Sequence, residues 1–208
     1  YDLRLKVSES QSIFHIPEYL YTETETDTRK SGEKQFDYVN PRNREVQIEM
    51  EQACTEHLKN CGAYLAPEFE KLLLDASDFP VEASVIIPVK NRSKTISDAI
   101  QSVLGQKADF PFNLIIVDNH STDGTSDLIR SYAERDSRIV HIIPERDDLG
   151  IGGCWNEAVF HQSCGKFAIQ LDSDDLYSHD QVLHQIVRAF YDQQCAMLIG
   201  SYRMVNFK

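Results

Sequence analysis

The 208-residue sequence lacks several things. No apolar run approaches the roughly 18 to 20 residues that a bilayer-spanning helix needs, so no transmembrane segment is expected within it. Positive charge is scarce: 21 Lys and Arg stand against 33 Asp and Glu, for a net charge of −12. That balance argues against a nucleic-acid-binding surface. The five cysteines, Cys54, Cys61, Cys154, Cys164 and Cys195, are odd in number and form no C-x-x-C pair. A zinc site or a disulfide framework is therefore not expected, and reduced thiols in a cytosol are the natural reading. The seven histidines are scattered and contain no H-E-x-x-H pattern, so none is assigned to a metal. No signal peptide, internal repeat or low-complexity tract is expected within these residues. The chain starts at Tyr1 rather than Met, which suggests a piece of something longer.

With 41% hydrophobic and 26% charged residues, the composition is that of an ordinary globular protein with one substantial core. Residues 81–208 alternate between strand-like and helix-like patterns. Ser84 to Pro88 is a short β-rich run. A helical pattern follows, with Ile96, Ile100, Val103 and Leu104 on one face and Ser93 as its predicted N-cap. Asn113 to Val117 reads as a second strand, Thr125 to Glu134 as its helix, Ile139 to Ile143 as a third strand and Gly153 to His161 as the next helix. Phe167 to Leu171 has the composition of a strand buried on both faces. Ser178 to Gln181 reads as a capping box for a helix carrying Val182, Ile186, Val187 and Phe190 inward, and Ala196 to Gly200 as a fifth strand. This rhythm predicts an α/β fold, a mostly parallel sheet with helices on both faces.

Residues 1–80 form a different, partly helical N-terminal segment. Thr22 to Gln35 is polar and charged and reads as an exposed linker. Glu45 to Asn60 looks helical, with Val46, Met50, Ala53 and His57/Leu58 on one stripe and Cys61-Gly62 as a stop. Packing against the main domain, without chemistry, is its expected role.

In a parallel sheet, ligands bind outside the carboxyl ends of the strands. Here those ends carry Pro88-Val89-Lys90-Asn91-Arg92, Asp118-Asn119-His120-Ser121, Glu145-Arg146-Asp147-Asp148 and Asp172-Ser173-Asp174-Asp175. One Asp after a strand is by default a helix cap. Three carboxylates within four residues repel one another, and a divalent cation is the obvious way to hold them. Oxygen ligands favour Mg²⁺ or Mn²⁺, which keep waters and bind phosphates. Four polar strand ends on one rim point to a metal-dependent site for a phosphorylated ligand. Gly150-Ile151-Gly152-Gly153 precedes a helix but does not fit G-x-G-x-x-G and follows an acidic loop, so a dinucleotide fold is rejected. A tight helix entry beside the ligand fits these glycines better.

These blocks resemble family 2 glycosyltransferases of the GT-A fold over about residues 83–205. The resemblance rests on Ser84 to Arg92, Ile115 to Gly124, Gly150 to Asn156 and Leu171 to Asp175. It implies a nucleotide-sugar donor, most often a UDP-sugar, a Mn²⁺ or Mg²⁺ ion and an inverting transfer to a saccharide or lipid-linked acceptor, as in polysaccharide biosynthesis. It also implies a place in the cytoplasm, at the inner face of a membrane. Carried over residue by residue, Pro88, Val89, Asn91 and Arg92 line the nucleotide pocket. Asp118 accepts a hydrogen bond from the base, with Asn119 beside it, and Asp147 lies near the base or ribose. Gly150 and Asn156 contribute to donor binding. Asp172 and Ser173 approach the ribose and phosphates, and Asp174 with Asp172 holds the metal. The family usually has a second Asp where this chain has Asn119, and often Ala-Arg-Asn where it has Cys154-Trp155-Asn156. The resemblance puts the general base in an acceptor half beyond Lys208, outside this chain. Tyr1 to Val7 and Ile13 to Tyr21 look like the closing segment of the same family, as in a tandem two-module enzyme. Two alternatives stay open. A nucleotidyltransferase shares the architecture but would carry a Gly- and Lys-rich loop after the first strand, which Val89-Lys90-Asn91-Arg92 is not. A non-catalytic nucleotide- or sugar-binding module would lack turnover.

Overall fold

The computed structural model describes residues 1–22, 43–70, 72–74 and 78–203. Most of the expected Thr22 to Gln35 linker lies outside them. The chain forms two compact units, Tyr1–Phe69 and Glu70–Lys208. Residues 70–80 thus go with the sheet, where Leu74 packs on the core and its carbonyl accepts from Lys166 Nζ.

The first unit contains two helices, α1 (Asp2–Ser8) and α2 (Arg44–Asn60). Neither has a buried residue. Glu9, just past α1, ties them together by accepting from Asn60 Nδ2 at 3.2 Å, with His57 Nδ1 at 3.1 Å. The end of α2 is as expected: Cys61 closes it and Gly62 takes φ +71°, where a Cβ would be strained. Val46 and Met50, on the predicted stripe, are exposed.

The second unit is built on β1 (Ala83–Val89), β2 (Phe112–Asp118), β3 (Ile139–Ile142) and β4 (Phe167–Gln170). All pairings are parallel, in the order β3-β2-β1-β4. Between and after them lie α3 (Ile96–Leu104), α4 (Thr125–Ala133), α5 (Gly150–Val159) and α6 (Val182–Gln193). The side-chain alternation of a strand divides β1 and β2 between two cores. Val85, Ile87, Leu114 and Ile116 face one way and pack with Ile96, Ile100, Val103, Ile129, Leu183 and Phe190 of α3, α4 and α6. Ile86, Ile115 and Val117 face the other way and pack with Cys154 and Ala158 of α5. The helices therefore cover both faces, as the alternating pattern predicts, and β1 and β2 are buried along their whole length.

Five local expectations are corrected. The fourth strand is not buried on both faces: Phe167 and Ile169 are inside, but Ala168 and Gln170 are exposed. As an edge strand, β4 carries Ala168 in register with Ser84, on the face that α5 covers over β1 and β2. Ala196 to Gly200 forms no strand among the described residues. Ser93 does not cap α3. Thr95 stands at that position, and the Ser93 N–H is taken by Asp123 Oδ2 at 3.0 Å. The Ser178–Gln181 capping box does not form either, since Gln181 is the N-cap and makes no side-chain cap bond. Instead Gln106 Oε1 accepts from Leu183 N at 2.9 Å while its Nε2 donates to the His179 and Ser102 carbonyls. A buried amide from the end of α3 thus satisfies the start of α6. The remaining helix, α5, begins at Gly150 rather than Gly153.

At the amino ends of the strands a small polar cluster is closed off from water. Gly165 N donates to Ser84 Oγ at 2.7 Å, Ser84 Oγ to Asn113 Oδ1 at 2.5 Å, and Asn113 Nδ2 to the Ser163 carbonyl at 2.6 Å. A Cβ on Gly165 would meet Val81 O at 2.8 Å and Ala83 C at 3.0 Å. Those are backbone atoms of the central strand's entry and cannot swing aside. Gly165→Ala is expected to cost about 1–3 kcal/mol, read as a lower urea midpoint at unchanged slope. An unchanged midpoint would show that the turn relaxes freely.

Candidate functional site

The strand order reverses at β1: β2 and β3 lie on one side of it and β4 on the other. A parallel sheet opens its ligand crevice at such a switch point, outside the carboxyl ends. Here one residue makes the opening. The Ile86 carbonyl accepts from Leu171 N at 3.1 Å, so Ile86 faces β4 and so, two residues on, does Pro88. Proline has no N–H to give. The β1–β4 ladder stops at Ile86↔Gln170, whereas β1 stays paired to β2 through Val89↔Asp118. The two strands part there, with Val89-Lys90-Asn91-Arg92 on one lip and Asp172-Ser173-Asp174-Asp175 on the other. Pro88 and Val89 are themselves buried in the sheet, while Asn91 and Arg92 are exposed.

The loop after β1 is latched to the loop after β2. Asn91 takes φ +56° and His120 φ +58°, left-handed conformations in which Asn and His are over-represented among non-glycine residues. Asn91 N donates to Ser121 Oγ, Thr122 N to Asn91 Oδ1 and Arg92 N to Thr125 Oγ1, at 2.9, 2.8 and 2.9 Å. Asp123 accepts from Ser93 N and Thr125 N. The Thr125 hydroxyl, then the Ser93 N–H, hold its carboxyl far below the usual carboxylate range. Asn91 therefore spends its amide oxygen on the loop, and Asp123, Thr125 and Ser121 shape the rim. These helpers stood inside the Ile115 to Gly124 block or beside it, but their role depends on a partner 30 or more residues away and has no local signal.

Asp118 is fully buried. Its Oδ1 accepts from Ser121 N at 3.0 Å, its Oδ2 accepts from the Ser126 hydroxyl, and His141 Nε2 stands 3.6 Å from Oδ2. Burial pushes this carboxyl up, but His141, Ser121 and Ser126 together outweigh burial and hold it down at about 2. The base contact expected of Asp118 would thus fall on a fully buried carboxylate that already accepts from Ser121 and Ser126. Asn119, the next residue, is 8% exposed, and its Oδ1 is buried with no hydrogen-bond partner. Its N–H donates to the Val89 carbonyl at 2.8 Å, which fixes it at the β1–β2 edge of the crevice.

On the β4 side Ser173 is buried, Asp172 half-buried and Asp174 exposed. Asp175 N donates to the Asp172 carbonyl at 3.0 Å and closes a turn that holds the three acids. Gln170 Nε2 donates to Asp172 Oδ1 at 3.2 Å. Partial burial, then the charges of Asp172 and Asp174, push the Asp175 carboxyl up. Their mutual repulsion suits a cation, yet no three His, Cys, Asp or Glu side chains among the described residues converge as a ready-made metal cage. The expected metal pair, Asp172 and Asp174, lies within this turn.

Asp147 is exposed in the loop after β3, beside the exposed pair Arg146 and Asp148, joined at 2.9 Å. Gly150 opens α5 with φ +59°, the requirement that suits glycine there. Asn156 lies six residues into α5 from Gly150, about 9 Å along the axis, and lines a shallow depression of about 430 Å³ with Glu157, Phe160, His161 and Gln162.

The Glycosyl transferase family 2 model matches residues 84–208, the stretch that carries the sheet and this rim. The chain belongs to that family of enzymes, and its sheet is the GT-A type of α/β fold. It is 33% identical over 122 residues to the putative teichuronic acid biosynthesis glycosyltransferase TuaG of Bacillus subtilis, covering 59% of this chain and 47% of that one. It is 36% identical over 127 residues to an uncharacterized glycosyltransferase of Rickettsia felis, covering 61% and 20%. A solved structure of TarS residues 1–349 from S. aureus, in complex with UDP, matches with a TM-score of 0.45 and 30% identity over 54% of this chain and 32% of that one. The chain thus spans about half the length of the first relative and a fifth of the second. No helix among the described residues is long and apolar enough to cross a membrane.

Proposed function

We propose that the rim between β1 and β4 binds the nucleotide-sugar donor, with a UDP-sugar as the expected class, of an inverting glycosyltransferase whose acceptor is a saccharide or lipid-linked hydroxyl. The observation that carries this reading is the crevice Pro88 opens between a latched loop that carries Lys90 and Arg92 and an acidic turn. A nucleoside diphosphate has matching ends: a base that needs fixed polar groups, and phosphates whose charge needs a counter-ion. Asn119 and the β1–β2 loops would take the base end. Ser173, Asp172 and Asp174 would take the ribose and diphosphate end, and Asp172 and Asp174 would hold Mg²⁺ or Mn²⁺. Such an ion would neutralise the departing diphosphate. Removal of the acceptor proton needs a carboxylate base, which on this reading is supplied by the parent enzyme outside the rim.

The nucleotidyltransferase alternative fits less well. The Val89–Arg92 loop is pinned to the neighbouring loop by its own backbone N–H groups, leaving those groups unable to wrap a triphosphate. The deciding experiment incubates the parent protein with labelled UDP-sugars and a mixed saccharide and lipid-linked acceptor panel. Labelled glycan together with free UDP is expected. Release of pyrophosphate from a nucleoside triphosphate plus a sugar phosphate would replace the reading with the nucleotidyltransferase. Nucleotide binding with no product in either assay would leave a binding module.

A further inference from the structure

The rim's asparagines differ in one respect. Asn91 has its amide oxygen fixed by Thr122 N, and Asn113, at the other end of β2, has both amide atoms fixed, by Ser84 and Ser163. Asn119 is more than nine-tenths buried, yet its Oδ1 has no partner and no hydrogen bond holds its Nδ2 among the described residues. A buried unpaired acceptor costs about 1–3 kcal/mol. It is relieved when a ligand or water arrives. Asp118 beside it is fully buried, and each of its carboxylate oxygens already accepts from the protein. Nothing in the protein fixes which way the Asn119 amide faces, so a half-turn about its last bond exchanges donor and acceptor without breaking a protein hydrogen bond.

Resting on the donor-site reading above, we infer that Asn119 reads the Watson–Crick edge of the donor's base and, because its amide is free to turn over, accepts 4-oxo and 4-amino pyrimidines alike. Uracil presents N3–H as a donor and O4 as an acceptor. The amide oxygen takes the first and the amide nitrogen serves the second. Cytosine presents N3 as an acceptor and N4–H₂ as a donor, and the turned amide matches both. A carboxylate at this position has acceptors only. It suits the N3–H of uracil and opposes the N3 lone pair of cytosine. A site with a fixed donor–acceptor order discriminates strongly, because a mismatched base leaves buried polar groups unpaired. The free amide gives that discrimination up. Position supports the assignment: β2 and β4 are two strand spacings apart, about 10 Å, so the base end at Asn119 and the diphosphate end at Asp172–Asp174 are separated by the span a ribose bridges.

The test is calorimetry of the 208-residue chain and of its Asn119→Asp and Asn119→Ala variants with UDP, CDP and N3-methyl-UDP, in Mn²⁺. UDP and CDP are expected to bind the unaltered chain within about three-fold of each other. N3-methyl-UDP, which has lost its N3–H, should bind at least ten-fold more weakly than UDP. Asn119→Asp should restore a uracil preference of ten-fold or more by weakening CDP. Asn119→Ala should weaken both and spare the CDP-to-UDP ratio. A ten-fold or larger UDP preference in the unaltered chain that persists in Asn119→Ala would overturn the inference and leave the donor site standing. Equal binding of UDP and N3-methyl-UDP would do the same, without relying on a variant. Failure of every nucleotide to bind would overturn the donor-site reading and this inference with it.

Discussion

Asp174→Ala will remove most of the gain that Mn²⁺ gives to UDP binding. With the unaltered chain, UDP is expected to bind at least ten-fold more tightly in Mn²⁺ than in EDTA. The reason is the charge on the β4 lip. Asp172, Asp174 and Asp175 sit within one turn, and partial burial, then the charges of the first two, push the third up. A diphosphate brought to this lip without a cation meets like charge on like charge. With a cation the same acids become ligands, and the phosphate oxygens complete a shell that the protein leaves open. Even groups one shell outside a metal's ligands carry about 10- to 100-fold in metal affinity, so loss of a direct carboxylate ligand should cost about a hundred-fold or more. Asp175→Asn is the control: it removes a neighbouring charge without removing a proposed ligand, and should leave most of the Mn²⁺ effect in place. The measurement is titration calorimetry at fixed pH with and without metal, with circular dichroism to show that each variant is folded. Equal UDP affinity in Mn²⁺ and EDTA would refute the metal assignment and leave the crevice itself untouched.

How far the sequence discloses this arrangement depends on how local each cause is. The runs Ala83–Val89 and Phe112–Asp118 are mostly apolar because both faces of those strands are covered, and they were legible for that reason. Phe167–Gln170 is similar in composition but lies at the sheet edge, so alternate residues are exposed. Edge position is a property of strand order and leaves no mark on four residues. Ala196 to Gly200 looks like a strand on the same local grounds and finds no partner among the described residues. The capping pattern at Ser178–Gln181 lost to Gln106, whose amide oxygen reaches Leu183 N across 77 positions of sequence. At the rim the residue types were legible: acids, an asparagine pair and glycines after successive strands. Which of them remain open to a ligand was not. Asp118 and Asn119 are adjacent, both buried and both polar. Only the positions of Ser121, Ser126 and His141 show that the first is spoken for and the second is not.

Asp118→Ala should be the most damaging single change at the rim to the stability of the sheet unit, at about 2–4 kcal/mol. Truncation leaves Ser121 N–H and the Ser126 hydroxyl without their shared acceptor in a dry site, and with them goes the tie between the end of β2 and the first turn of α4. The carboxylate also makes a pH signature. Its ordinary value is 3.8 and its folded value about 2, so the folded state binds the proton less readily than the unfolded chain. A depressed carboxyl contributes stability that is fully present above the unfolded value and is lost as pH falls through the folded one. The window therefore runs from about pH 5 down to about pH 2, and the gap is worth about 2 kcal/mol. Asp118→Asn keeps the shape and has no proton to take up. Urea unfolding at pH 7 should show the unaltered chain more stable than Asp118→Asn, and the difference should shrink as the pH is lowered to 2.5. Other depressed carboxyls, Asp123 and Asp136 among them, titrate in both proteins and cancel in the comparison. A difference that stays constant between pH 7 and pH 2.5 would mean that Asp118 ionises no more readily in the folded chain than in the unfolded one. The clamp at the end of β2 would then owe nothing to its charge.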